Sequence, residues 1–445
     1  MGIVKTDIIS ISELISKQNL RIPEYQRPYK WTQSHVNQLL NDIKRFSGSN
    51  TYRIGTIVIH QDDKVWNIVD GQQRCLTFTL IARALILHRL KNVKNEKLKE
   101  QLAKIKEVYF KPSFSNRTSQ HNLKSNYFEI DRYIQKVSED WIEYFLNKCE
   151  VTLLVIDDES EAFQFFDSQN ARGKDLEPHD LLKAFHLREL NRSNERIEKA
   201  EINQIVETWQ DIQTEELARH FSDFLFRVRG WSRSQSSKYF SKNDTHLFKG
   251  ITLNKDENYP YIKPYNLLGE YLINKDQNNS DFPFQLDQLI INGRLFFEMV
   301  IYYLRMRDEI LEQLENEKGI KNILDTLNKY DGKDRTGDKY SRMLFDCAIL
   351  YYVDKFGKSE IDVATEKIFI WAYTPRLNYQ NLTLASIDNY VIHERNIFFR
   401  IKDAIHPSHI INWSLPRIKG GYKNEKTKDI RILFENMNYY ESSRN

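Results

Sequence analysis

The pentapeptide Asp70-Gly71-Gln72-Gln73-Arg74 sets a carboxylate, two amides and a guanidinium side by side. These groups suit phosphate chemistry. An arginine pairs with phosphate oxygens through a planar fork of donors. A carboxylate holds a hard cation such as Mg²⁺, places an attacking water or accepts from a ribose hydroxyl. An earlier run, Leu20-Arg21-Ile22-Pro23-Glu24-Tyr25-Gln26-Arg27-Pro28-Tyr29-Lys30-Trp31, puts Arg27 beside Gln26 with Tyr25 or Trp31 at hand. A later one, Glu161–Leu190, offers Asn170, Asp180 and Lys183.

Chemistry of this kind needs a backbone that brings the groups to one point. Val65, Trp66, Ile68 and Val69 form an apolar, β-favouring run that ends at Asp70-Gly71. From Leu76 the spacing becomes helical, with Leu76, Leu80, Ala84 and Leu87 on one face. Gly71 permits a tight turn and a close approach. Gln72, Gln73 and Arg74 then fall at a helix N-terminus, where free N–H groups and the dipole favour anions. Strand, glycine turn and helix in that order are what a phosphate cradle requires. By themselves Asp-Gly is an ordinary turn and Gln-Gln-Arg an ordinary polar helix start.

The flanking elements follow from the same patterning. Pro23 and Pro28 hold the first run extended, and its aromatic residues would also suit an edge segment packed on the core. Thr32 can cap a helix striped by Val36, Leu39, Leu40 and Ile43. Tyr52–His60 and Lys64–Val69 read as a hairpin around Gln61-Asp62-Asp63. Residues 91–110 read as a solvated helix and 112–128 as a polar loop, so 91–148 is expected to be a mostly helical insertion. Val151–Ile156 is a short buried strand. In the later run, Ala162, Phe163, Phe165 and Phe166 lie on a helix ending near Asn170, and Gly173 supplies its stop. Pro178 opens the next helix, which buries Leu181, Leu182 and Phe185 and turns Lys183 away from Leu181. In that helix Asp180 would also complement the dipole, and Asn170 would also serve as a cap.

A chain of 445 residues exceeds one ordinary domain. Apolar residues at 40% suffice for a core, and 29% charged residues suit an aqueous surface. The formal net charge of +3 neither demands nor forbids nucleic acid, because a local basic face matters more than the sum. Cys75, Cys149 and Cys347 form neither a disulfide framework nor a zinc knuckle. The opening MGIVKTDIISISELI lacks the basic start and apolar run of a signal peptide. The apolar stretch from Leu295 to Leu304 is interrupted by Glu298. The expectation is a cytoplasmic protein.

Three blocks together resemble the ParB-like N-terminal domain of GmrSD-type, modification-dependent restriction enzymes. They are the Ile22–Trp31 run (Ile-Pro-x-Tyr-Gln-Arg-x-Tyr-x-Trp), the DGQQR at Asp70–Arg74, and the third block with Asn170, Gly173 and Asp180-Leu181-Leu182-Lys183. They occur in the family's order over roughly residues 10–190. Glu177 stands where a small hydroxyl cap is commoner in the family. The resemblance implies an α+β fold: a ParB/sulfiredoxin-like α/β core over 1–190 with the helical insertion, then an all-α domain over 191–445. It further implies nucleoside triphosphate hydrolysis, with GTP a candidate and Mg²⁺ as cofactor, coupled to restriction of modified or foreign DNA in anti-phage defence. In that scheme Arg74 and Arg27 bind phosphates, Asp70 holds Mg²⁺ or the attacking water, and Gln72 and Gln73 orient the nucleotide. Gln26, Gly71, Asn170, Asp180 and Lys183 complete the pocket.

The second half carries its own candidates. Arg227–Lys249 interleaves Arg227, Arg229, Arg233 and Lys238 with Trp231, Tyr239 and Phe240, a mixture that could neutralise phosphates and stack on bases or form a linker with buried rings. Arg417–Lys428 is a second basic stretch with a Gly-Gly turn. His406-Pro407-Ser408-His409 lacks the partners of a His-Asn-His nuclease, so no complete module of that type is expected in this chain, and a nuclease on a partner chain is left open. Walker A, GxSxG and HExxH motifs are absent from the sequence. Two other readings remain open: a regulator that binds DNA and senses nucleotide without hydrolysis, and a ParB-like nuclease. Self-association is left open.

Overall fold

The computed structural model describes residues 3–23, 26–114, 116–158, 161–162, 177–192, 199–253, 259–274, 285–315, 317–420, 422 and 424–441. The chain divides into two compact units, Met1–Leu176 with Ile197–Asp211, and Glu177–Arg196 with Ile212–Asn445. A single boundary near residue 190 is therefore too simple. The helix Pro178–Arg192 falls in the second unit and the helix Lys199–Asp211 in the first.

The first unit is built on a five-stranded mixed sheet. Its strands are β1 (Ile3–Ser10), β2 (Leu20–Arg21), β3 (Tyr52–Asp62), β4 (Val65–Asp70) and β5 (Cys149–Ile156), in the order β1-β5-β3-β4-β2. β3 and β4 form the expected antiparallel hairpin. β5 runs parallel to β3 and antiparallel to β1. Besides Lys199–Asp211, its described helices include α1 (Ile11–Ile15), α2 (Gln33–Phe46), α3 (Gln72–His88), α4 (Glu96–Val108), α5 (Arg117–Ile134) and α6 (Glu139–Asn147). Ser10 starts α1 with a reciprocal cap. Its hydroxyl accepts from the Glu13 N–H at 3.2 Å, and Glu13 accepts from the Ser10 N–H at 2.8 Å.

The alternation of β5 puts Val151, Leu153 and Val155 into one core with Ile57, Ile59 and Ile68. The stripe of α2, Val36, Leu39, Leu40 and Ile43, enters the same core. α3 is the central helix of the unit. It buries Cys75, Leu76, Phe78, Ile81, Ala82, Ala84 and Leu85, and Leu87, which the spacing puts on one face with Leu76 and Ala84, is 59% exposed. A helix apolar on nearly every side has no single stripe for a spacing argument to find.

The expected polar loop over 112–128 is mostly the helix α5. Asn116 caps it, accepting from the Ser119 N–H at 2.7 Å. Ser119 and Asn126 lie on its buried face with Ile130 and Ile134. Polar residues that read as loop are there because that face meets backbone rather than apolar side chains.

The second unit is helical, with long helices at Arg294–Glu315, Thr336–Phe356 and Ile361–Asn378. Among its described residues it also holds a parallel pair of two-residue strands, Ile418–Lys419 and Tyr440–Glu441, so it is not strictly all-α. Its largest buried side chains are aromatic, among them Trp231, Tyr303, Tyr351 and Trp371. Polar tips of these rings reach partners: Trp231 Nε1 donates to Asp388 at 2.9 Å and Tyr303 donates to Asp354 at 2.7 Å.

β4 passes into α3 through Gly71, at φ +88° and ψ 12°. A Cβ there would stand 2.3 Å from Ile57 Cδ1 and 3.3 Å from the Thr56 carbonyl oxygen. Gly71→Ala should therefore lower stability by about 1–3 kcal/mol, read as a lower denaturant midpoint. Gly48→Ala, whose Cβ meets nothing within 4 Å, serves as the matched control and should leave the midpoint in place.

Candidate functional site

At the β4–α3 corner, Gly71 is the N-cap of α3, and no side chain caps the first turn. Asp70 Oδ2 lies 3.6 Å from Arg74 Nη2, and their side chains are 33% and 24% exposed. Across the sheet, Arg74 lies over Gly55 of β3. A Cβ on Gly55 would fall 2.0 Å from Arg74 Nη1. β3 is irregular between Arg53 and Gly55, and Gly55 takes φ +141°. The missing side chain gives the guanidinium its room.

Residues 26–31 run beside this corner as an extended strap. Pro28 has no N–H, and the strap joins no sheet, so its backbone groups need side-chain partners. The corner supplies one set. Gln26 Nε2 donates to the carbonyls of Ile68 at 3.0 Å and Val69 at 2.7 Å. Gln72 Nε2 donates to the Arg27 carbonyl at 3.0 Å. Gln73 Nε2 donates to the Pro28 carbonyl at 3.2 Å, and its Oε1 accepts from the N–H groups of Lys30 at 2.8 Å and Trp31 at 3.1 Å.

The second set comes from α5. Ser119 Oγ accepts from the Tyr29 N–H at 2.8 Å. Asn122 donates to the Tyr29 carbonyl at 2.9 Å, and Asn126 to the Trp31 carbonyl at 2.7 Å. Tyr29 is fully buried, with its hydroxyl 2.9 Å from Thr77 and 3.1 Å from Asn126. Burial pushes the Tyr29 phenol up from its usual range. Ser119, Asn122 and Asn126 are site-building residues that the sequence reading missed. The only signal was a row of small polar residues spaced three and four apart, the period of one helix face.

On the far side of the strap lies a cavity of about 470 Å³. Arg21, Arg27 and Lys111 bring positive charge to its wall, and Gln72 adds the first residue of α3. Among the described residues Glu207 is the one carboxylate in that wall. Asp70 and Arg74 are not part of it. Arg27 is half-buried, carried to the cavity by backbone that Gln26, Gln72 and Gln73 hold. Those amides, expected to touch a nucleotide, are engaged with backbone, which makes them positioning groups in this structure.

The remaining candidates are distributed elsewhere. Tyr25 and Asn170 lie outside the described residues. Asp180 and Lys183 sit on the helix Pro178–Arg192 in the second unit. Asp180 Oδ1 is 3.9 Å from His179 Nε2, and Lys183 is buried.

Burial corrects the expected DNA-contacting patch. Arg227 is 6%, Arg229 2% and Trp231 0% exposed, so none of them belongs to a surface that could meet a duplex. Arg229 donates to the Leu247 carbonyl at 3.0 Å and also to the Leu286 carbonyl, and burial lowers its pKa to about 9. Arg233 and Lys238 are half-buried, and Tyr239 is 75% exposed. In the second basic stretch, Arg417 and Lys419 both approach Glu441, at 3.7 and 3.8 Å. His406 Nδ1 lies 2.8 Å from Ser408 Oγ. Among the described residues no group of three or more His, Cys, Asp or Glu side chains gathers to hold a metal ion, and no helix is long and apolar enough to cross a membrane.

Comparison with known families finds two matches that together cover most of the chain. Residues 11–187 match the GmrSD restriction endonuclease, N-terminal domain. Residues 201–429 match a family of unknown function (DUF7834). No curated protein matches the chain.

If Gln73 anchors the strap, Gln73→Leu leaves the Lys30 and Trp31 N–H groups without their acceptor. The expected cost is about 1–3 kcal/mol, with faster amide exchange at residues 28–31 by mass spectrometry. Protection equal to wild type across those residues would remove the anchoring role.

Proposed function

The chain belongs to the GmrSD restriction-endonuclease N-terminal domain family through residues 11–187 and to a family of unknown function through 201–429, and from that premise we propose that it is the nucleotide-hydrolysing component of a restriction-type defence system. The observation that carries this reading is the cavity of about 470 Å³ in the first unit, where Arg21, Arg27 and Lys111 converge beside the first residue of α3. A triphosphate is a polyanion. Cations and a helix N-terminus favour it together, the first by charge and the second by free N–H groups. The mixed sheet with its strand–glycine–helix corner supports the ParB/sulfiredoxin-like reading of the core.

In this proposal Arg27, Arg21 and Lys111 neutralise the phosphate chain. Hydrolysis transfers the terminal phosphoryl group to water, breaking its bond to the bridging oxygen, and negative charge grows on the leaving oxygen. Arg74 lies at the neighbouring corner, outside the cavity and paired with Asp70, and would bring its charge to that oxygen by leaving that partner. Asp70, partly exposed beside it, orients the water. Mg²⁺ commonly binds through one or two carboxylates together with substrate phosphates, so a lone Asp70 fits that mode and would be the protein's ligand; the ion would shield charge on the phosphates. Gln72 and Gln73 act at one remove, by fixing the strap that bears Arg27. These roles rest on first-unit residues alone.

Restriction implies DNA as the substrate of the whole system, and a partner chain would supply the nuclease. Arg233, Lys238 and the exposed Tyr239 are what remains of the proposed DNA contact. GTP and the other nucleoside triphosphates, each with Mg²⁺, are the substrates to compare by phosphate release. Arg74→Ala should cut turnover by about 10²–10³-fold, the usual cost of removing one charge-stabilising donor, and Arg27→Ala should weaken nucleotide binding. Undiminished turnover by Arg74→Ala overturns the assignment. Saturable nucleotide binding with no phosphate released by wild type would favour the sensing regulator instead.

A further inference from the structure

The burial of Arg227 leads to a second cavity, of about 460 Å³, wholly inside the helical unit. Among the described residues three elements enclose it. One is the continuous helical run Thr214–Trp231, interrupted by a π-helical segment at His220–Leu225. The others are the helices Arg294–Glu315 and Thr336–Phe356. A π segment widens the turn and frees carbonyl groups, and such segments are frequent at functional sites. Here Asp223 and Phe224 of the π segment line the cavity, and the Cys347 thiol approaches the Asp223 carbonyl at 3.1 Å.

The charges lining this cavity do not cancel. Arg219, Arg227, Arg307 and Lys339 face Glu216, Asp223 and Asp346. Each carboxylate already has a guanidinium: Asp223 meets Arg227 at 2.9 Å, Glu216 meets Arg307 at 3.9 Å, and Asp346 meets Arg342 at 2.8 Å. Arg219 and Lys339, both exposed, have no ion pair among the described residues. Arg227 is 6% exposed, and its Nε is buried without a hydrogen-bond partner. That nitrogen is closed off from the cavity, and Arg227 Nη1 is held by Asp223 and Met343, so Arg227 gives the wall its charge rather than an open donor. Beside these cations the wall is apolar and aromatic, with Phe224, Leu311, Tyr340 and Leu350. With its carboxylates engaged the site does not suit a metal cation. It suits an anion that also carries a flat apolar group.

We propose that this cavity binds a nucleoside phosphate, with the phosphate between Arg219, Lys339 and Arg227 and the base against Phe224 and Tyr340. The size is right, since pockets for small ligands run from roughly 300 to 1,000 Å³. Two sources share this chemistry, a free mononucleotide and a nucleotide unit of a single strand. The inference rests on the second unit alone and stands or falls separately from nucleotide hydrolysis in the first.

The test uses the full chain carrying Arg27→Ala and Lys111→Ala, which disables the first-unit cavity. Adenosine and guanosine monophosphates and a four-nucleotide oligothymidine are titrated by calorimetry, with inorganic phosphate as reference. Saturable binding that is tighter than inorganic phosphate and weakens with salt is expected. Adding Arg219→Ala with Lys339→Ala should weaken it roughly tenfold or more. Arg219→Lys with Lys339→Arg should restore most of it. Both side chains are exposed, so the unfolding midpoint should hold. Binding of mononucleotides identifies a free ligand, and binding of the oligonucleotide alone identifies a strand; either supports the proposal. No saturable binding, binding no tighter than inorganic phosphate, or equal affinity after the double alanine substitution overturns it.

Discussion

Side-chain amides bonded to strap backbone hold the first unit's cavity in shape. Residues 26–31 belong to no helix and no strand, yet they lie against the core with Tyr29 fully buried. Buried peptide groups without partners cost on the order of 1–3 kcal/mol each. Gln72 and Gln73 on one side, and Ser119, Asn122 and Asn126 on the other, meet that need, while Gln26 ties the strap to the Ile68 and Val69 carbonyls of β4. The strap is held from both sides, which fixes the root of the Arg27 side chain.

Fixing Arg27 through backbone has a physical advantage over fixing it through its own head group. A cation already tied to a carboxylate must give up that partner to take a phosphate. Backbone anchoring leaves the head group available while limiting the freedom of its root, so less entropy is lost when an anion arrives. Arg74 is arranged differently, paired with Asp70 at 3.6 Å and seated over a glycine of β3. The two arginines are therefore not equivalent. One is presented by a strap to the cavity, and the other is kept at the corner by a carboxylate and by the space above Gly55.

The helical unit solves a different problem with the same rule. Its interior is rich in large aromatic side chains, and several carry a polar tip that must be satisfied where it is buried. Asp388 serves Trp231, Ser236 and Ser237, and Asp354 serves Tyr303 and the Leu286 N–H. Arginines take part as well. Arg229 is spent on two carbonyls and pays its desolvation there, while Arg227 borders open space. Two residues apart in one helix, they face different surroundings and so differ in what they can do.

Local sequence determined much of the first unit. The hairpin β3–β4, the glycine at its exit and the helix after it follow from β-branched runs, a turn residue needing positive φ and a change of apolar period. β5 and the stripe of α2 were legible for the same reason, because strand and helix periods are properties of neighbouring residues. Tertiary structure decided what the polar residues do. Gln72 and Gln73 were legible as polar helix starters, but their partners lie more than forty positions away in the strap. The row Ser119, Asn122, Asn126 looked like loop, since no local pattern says that a helix face will bury against peptide groups. Arg227, Arg229 and Trp231 looked like a binding surface for the converse reason. Charge and ring type are written in the chain, whereas exposure depends on which distant helices pack over them.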